Sequence, residues 1–152
     1  DRSDSCVSGR PRFQPVLMLC AALVATGLLT AAGAVRADQW QPLRDDPTIT
    51  SGLTVIAVGR RIHDECPSIS ARMVRSLTFA EGLVSHARGL GYTRNELNAY
   101  IDDRDEQDRY REIARSYFAQ RAADWDDPDS LCRVGRDEIA ANSPIGRLLR
   151  EG

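Results

Sequence analysis

Asp108-Arg109-Tyr110-Arg111-Glu112-Ile113-Ala114-Arg115-Ser116-Tyr117-Phe118 decides the fold class. Its apolar side chains stand at 110, 113, 114, 117 and 118, the i, i+3, i+4, i+7, i+8 spacing of one stripe along an α-helix. Charged or polar residues fill the positions between them, so the predicted helix has one buried and one wet face. Just ahead lies Asp102-Asp103-Arg104-Asp105-Glu106-Gln107-Asp108. Acids in a first turn complement the positive end of the helix dipole, and the helix is predicted to open within this run.

Toward the N-terminus, Thr93-Arg94-Asn95-Glu96 reads as a capping box for a short helix with Leu97, Tyr100 and Ile101 on its apolar face. Gly89 and Gly91 end the helix before it, Gly91 as the left-handed cap. That helix is predicted to start at Ser68 or Ser70, with a core face of Ile69, Met73, Leu77, Ala80, Leu83, Val84, Ala87 and Leu90. A helix from about Thr48 to Cys66-Pro67 comes earlier. Its β-branched residues (Ile49, Val55, Ile56, Val58) weaken the helix reading and leave a strand as the alternative. Pro42 and Pro47 predict an extended lead-in over 38–47.

Toward the C-terminus, Asp127-Pro128 is a cap followed by proline at the first helical position. Leu131, Val134, Ile139 and Ala140 add apolar surface, and Ser143-Pro144 begins a terminal turn carrying Ile145, Leu148 and Leu149. The expected fold is all-α: a small bundle of about five helices, without strands or repeats, over residues 38–152.

Residues 1–37 read as a signal peptide. Arg10 and Arg12 precede a charge-free apolar run from Pro15 to Val35, and Val35-Arg36-Ala37 predicts cleavage before Asp38. Roughly 20 apolar residues can also span a bilayer, so an uncleaved inner-membrane anchor is the alternative. The expected location is the periplasm. The chain has 20 basic residues, all arginine, against 22 acidic ones. This mild acidity, with no basic stripe to neutralise phosphates, argues against a nucleic-acid partner.

With Cys6 and Cys20 lost in the signal, Cys66 and Cys132 remain. Oxidising compartments form and keep disulfides, so these two are expected to pair. Neither sits in Cys-x-x-Cys, and with His63 and His86 they match no zinc spacing.

Four strings then stand out: Arg60-Arg61-Ile62 with Cys66-Pro67-Ser68-Ile69-Ser70-Ala71-Arg72; Ala87-Arg88-Gly89-Leu90-Gly91-Tyr92-Thr93; Asp127-Pro128-Asp129-Ser130-Leu131-Cys132; and Gly135-Arg136-Asp137-Glu138-Ile139-Ala140 with Ile145-Gly146. Over residues 55–150 they resemble a small exported alphaproteobacterial family, domain of unknown function 5333. The resemblance implies a secreted helical domain with a paired cysteine, and the occurrence of relatives near genes for respiratory complex I implies an accessory role at the inner membrane. It brings no activity and no catalytic residue.

The residues themselves carry no catalytic constellation. His63 and His86 flank apolar positions and read as boundary residues. There is no Gly-x-Ser-x-Gly, and without lysine neither Ser-x-x-Lys nor a phosphate-binding Gly-x-x-x-x-Gly-Lys loop can occur. Asp124-Trp125-Asp126-Asp127-Pro128-Asp129 has the carboxylate density of a calcium loop but lacks its glycine and closing glutamate. No metal or cofactor is expected, and the acidic runs read as helix starts and solvated faces. The expected function is non-enzymatic: binding a protein partner, as an accessory or assembly factor of an inner-membrane complex. Tyr92 and Trp125 are the candidate anchors. An acid-stress chaperone or cation-binding module is the alternative from another class.

Overall fold

The computed structural model describes residues 38–152; the signal-peptide reading of 1–37, with Cys6 and Cys20, lies outside the described residues. The helices are α1 (Gln41–Asp45), α2 (Pro47–Glu65), α3 (Met73–Gly89), α4 (Arg94–Asp102), α5 (Arg104–Ala119) and α6 (Pro128–Ala140). A two-stranded antiparallel ribbon joins β1 (Ile69–Ala71) to β2 (Leu149–Glu151), after a short 3₁₀ turn at Gly146–Leu148. The all-α reading holds, with one short helix and one short ribbon added to it.

One sequence expectation is corrected at the start of the domain, and one is upheld over its alternative. Residues 38–47 are not an extended lead-in, because Pro42 and Pro47 both lie at the first positions of helices, α1 and α2. Proline lacks only an N–H that a first turn leaves unpaired anyway. The Asp46 carboxylate caps α2 by accepting the Ile49 N–H at 2.9 Å. Despite its β-branched residues α2 is helical throughout, and it touches α1, α3, α5, α6 and β1. Burial of Ile49, Leu53, Val58 and Ile62 overrides the modest propensity cost.

The absence of strands is corrected too. Ile69, assigned to the core face of a helix starting at Ser68 or Ser70, belongs to β1 and pairs with Glu151; Ala71 pairs with Leu149. The ladder runs on at both ends, where Arg72 N–H donates to Leu148 O at 2.7 Å and Gly152 N–H to Ser68 O at 2.9 Å. The helix therefore begins at Met73, after an Arg72 that makes no side-chain cap.

The remaining signals act as read. Thr93 and Glu96 form the capping box of α4, and Gly91 is left-handed at φ 96°. Asp103 caps α5 and Asp127 caps α6. The α5 stripe is the interior one: Tyr110, Ala114 and Phe118 are buried, with Ile113 and Tyr117 packed at its margins.

The core has two parts on either side of α2. One gathers Ile62, Phe118, Leu131, Val134 and Leu149 from α2, α5, α6 and the ribbon. The other gathers Leu43, Ile49, Leu97 and Tyr100 from α1, α2 and α4, with Leu83 and Ala87 of α3. Cys66 is the residue at the C-terminal end of α2 and is bonded to Cys132 in α6, with Cα atoms 5.5 Å apart. Gly146 lies against the backbone of Glu138 at a distance that leaves no room for a Cβ, so the 3₁₀ turn seats directly on α6.

The bridge spans a sequence separation of 66 residues. Replacing both cysteines by serine should lower the unfolding free energy by about 2–4 kcal/mol in a urea titration, and reducing the wild type should do the same. A loss below about 0.5 kcal/mol would mean that packing alone fixes the α2–α6 junction.

Candidate functional site

The first half of α3 has a core-type sequence and no core. Met73, Val74 and Leu77 are 64%, 78% and 61% exposed, which corrects the expectation that Met73 and Leu77 are interior. Leu83 and Ala87, further along the same helix, are buried. The reason is where α3 meets α2. Leu83 fills the space that a side chain on Gly52 would occupy, so the two helices press together near the start of α2 and the end of α3. At the other end of α3, the Arg72 guanidinium donates to Leu149 O at 2.8 Å and its N–H to Leu148 O, in the 3₁₀ turn.

Between these two attachments lies an apolar groove of about 350 Å³. Val55, Ile56, Gly59, Arg60 and His63 of α2 form one wall; Met73, Ser76, Leu77 and Ala80 of α3 form the other. Ala71, Leu148 and Leu149 close its base. A second, more polar groove of about 530 Å³ lies between α2 and α5, and Ile56 and Arg60 border both. Contiguous uncovered apolar surface rimmed by polar groups is the usual mark of an interaction site.

The residues singled out from the sequence fall elsewhere. Tyr92 is half-buried and donates its hydroxyl to Gln39 O at 2.7 Å. Trp125 packs on Phe118, with the Arg61 guanidinium 4.3 Å above its ring and Arg61 also donating to its carbonyl at 2.9 Å. It lines the α2/α5 groove; neither aromatic lines the α2/α3 groove. His86 sits 3.0 Å from the Asp46 carboxylate, whose pKa is held below its ordinary range by that contact and by the Ile49 N–H. His63 is exposed at the edge of the α2/α3 groove. Among the described residues, no three His, Cys, Asp or Glu side chains converge as a metal site would require.

Two carboxylates were missed as interior groups. Glu106, read as part of a solvated acidic run, is 2% exposed. Arg44 Nε donates to its Oε1 at 2.6 Å, and Arg109 approaches its Oε2 at 3.6 Å. Hydrogen bonds to Glu106 first, then to Asp38, raise the Arg44 pKa above its ordinary value. Glu138 accepts from the Tyr117 hydroxyl and from Arg121 Nε at 3.1 Å. Burial, followed by the bond to Glu138, pushes the Tyr117 hydroxyl well above its ordinary pKa, so it serves as a neutral donor. The sequence signal was helical phase: Glu106 precedes Tyr110 by four residues, and Glu138 follows Val134 by four. Both therefore fall on core stripes.

The chain matches the model of a family of unknown function, DUF5333, over residues 41–150, and it belongs to that family. No curated protein and no solved structure matches it. Among the described residues no helix is long and apolar enough to cross a membrane.

Burial acts to raise the Glu138 pKa, but bonds from Ser143, Tyr117 and Arg121 outweigh it and hold the carboxyl below the ordinary 4.5. The ionised form is thus favoured in the folded state. Its contribution is complete above the unfolded value and is lost as pH falls through the lower folded value. Glu138→Gln should melt below the wild type at about pH 7, with the gap closing below about pH 4. A gap independent of pH would show that the carboxylate charge is not what stabilises.

Proposed function

We propose that this is an exported, periplasmic, non-enzymatic protein that binds another protein. In this reading it is an accessory or assembly factor of an inner-membrane, respiratory complex, and the α2/α3 groove is its binding face. The observation that carries the proposal is the uncovered apolar first half of α3 opposite Val55 and Ile56. Export is supported by the Arg10–Ala37 sequence pattern and by a bonded cysteine pair, a feature that oxidising compartments preserve. An uncleaved signal would anchor the same domain at the inner membrane. The binding role is further supported by the structural employment of three groups capable of acid–base chemistry: His86 on Asp46, Glu106 on Arg44, Glu138 on Tyr117 and Arg121. The acid-stress or cation-binding alternative rests on acidic runs in which Asp103 and Asp127 serve as helix caps.

Mild cross-linking of native cells carrying the tagged full-length chain, followed by mass spectrometry of what co-purifies, tests this directly. One membrane complex near stoichiometry is expected. Met73→Ser with Leu77→Asp should reduce its recovery at least about tenfold, equivalent to about 1.4 kcal/mol. The melting temperature should not fall, since both side chains already face water. Bait recovered alone would overturn the partner reading.

A further inference from the structure

We infer that the α2/α3 groove takes a short amphipathic helix of a partner protein, one with an apolar stripe and carboxylates along one edge. The inference rests on the protein-binding reading above and gives the partner its chemistry. The α2 wall runs from Val55 to His63, about 12 Å at 1.5 Å rise per residue, which accommodates about two turns of a docked helix. Anchors at i, i+3 or i+4 and i+7 on such a helix would meet Ile56 on one wall and Met73 and Leu77 on the other.

Charge fixes the edge. In a chain whose acids outnumber its bases, no Asp or Glu among the described residues lines the groove; the ionisable side chains there are Arg60 and His63. Arg60 is 80% exposed, and its contact with Asp64 is a 3.5 Å surface pair, the kind that opens at little cost. A carboxylate on the incoming helix would meet that guanidinium at the rim, where complementary charge sets register and orientation.

Two other occupants fit less well. A lipid leaflet would meet the outward faces of Met73, Val74 and Leu77 but would leave the concave wall at Val55, Ile56 and Gly59 unfilled. The α3 face of a second copy carries no carboxylate between Met73 and Ala80, and the next one, Glu81, is paired with Arg94.

The test places p-benzoyl-phenylalanine at Leu77 in the full-length chain, irradiates native cells and maps the adduct by mass spectrometry, with Gln120 as the control position. The expected adduct forms at 77 alone. It maps to a partner segment with helix-spaced apolar residues and an Asp or Glu within one turn. Arg60→Glu should weaken it at least tenfold, and changing the mapped acid to Arg in the partner should restore it. An adduct to lipid, to a second copy, to a segment without acids, or one indifferent to Arg60→Glu overturns the inference. So does no adduct while the capture experiment still recovers a complex, and there the protein-binding reading survives. If capture also fails, both fall.

Discussion

The Cys66–Cys132 bond closes the junction on which the other contacts depend. Cys66 ends α2 and Cys132 lies in α6, so the bond fixes α6 against the exit of the central helix. Ile69, three residues past Cys66, then lies in the same cluster as Leu131 and Val134 of α6. From there the chain has only Ile69–Ala71 in which to reverse before α3 begins. A two-stranded ribbon this short is not stable by itself. It persists here because the bridge holds β1 and the turn seated on α6 holds β2, so the two strands meet already aligned. In a domain of this size, whose net stability is a small difference between large terms, one covalent closure of a long loop is a substantial share of the total.

The buried carboxylates do related work at the two ends of α5 and α6. Glu106 faces Arg44 of α1 across a gap of 62 residues in sequence, and Glu138 faces Tyr117 and Arg121 at the far end of α5. Removing one partner of such a set leaves a charge buried without compensation, which costs far more than the set contributes when intact. Their effect is therefore best read as specificity. Each admits one placement of a helix end, α1 over the start of α5 and α6 against its end, where apolar packing alone would tolerate slippage.

What could be read from the sequence was what is written locally. The α5 stripe, the Thr93–Glu96 box, Gly91 and Asp127-Pro128 each combine a periodicity or a cap with its own mechanism, and each appears where expected. The pairing of Cys66 with Cys132 followed from cysteine arithmetic. The misreadings share a cause. Ile69-Ser70-Ala71 is too short to carry a period, and its strand partner lies at the other end of the domain, so nothing nearby announces it. Pro42 and Pro47 read as breakers because helix starts and helix interruptions look alike until the following turn is known. Glu106 was placed by its acidic neighbours instead of its phase. The α3 groove was hidden for the opposite reason: Met73 and Leu77 have the right phase for a core, and only the tertiary arrangement shows that no other described residue covers them.

That arrangement explains why the groove stays open. Burying Met73, Val74 and Leu77 would gain about 1.5–3 kcal/mol each by the usual area reckoning, so a free helix would roll or slide until they were covered. α3 is not free. At its start Arg72 is bound through its N–H to Leu148, the last residue of the 3₁₀ turn, and through its guanidinium to Leu149 of the ribbon. Near its end, Leu83 occupies the space over Gly52. Between two fixed points a helix of this length behaves as a stiff rod, and it cannot close on α2 without breaking one attachment. The exposed apolar surface is thus held in place by the same ribbon that the disulfide secures. A surface held open in advance loses little conformational entropy when something fills it, which is the condition under which a small groove can bind well.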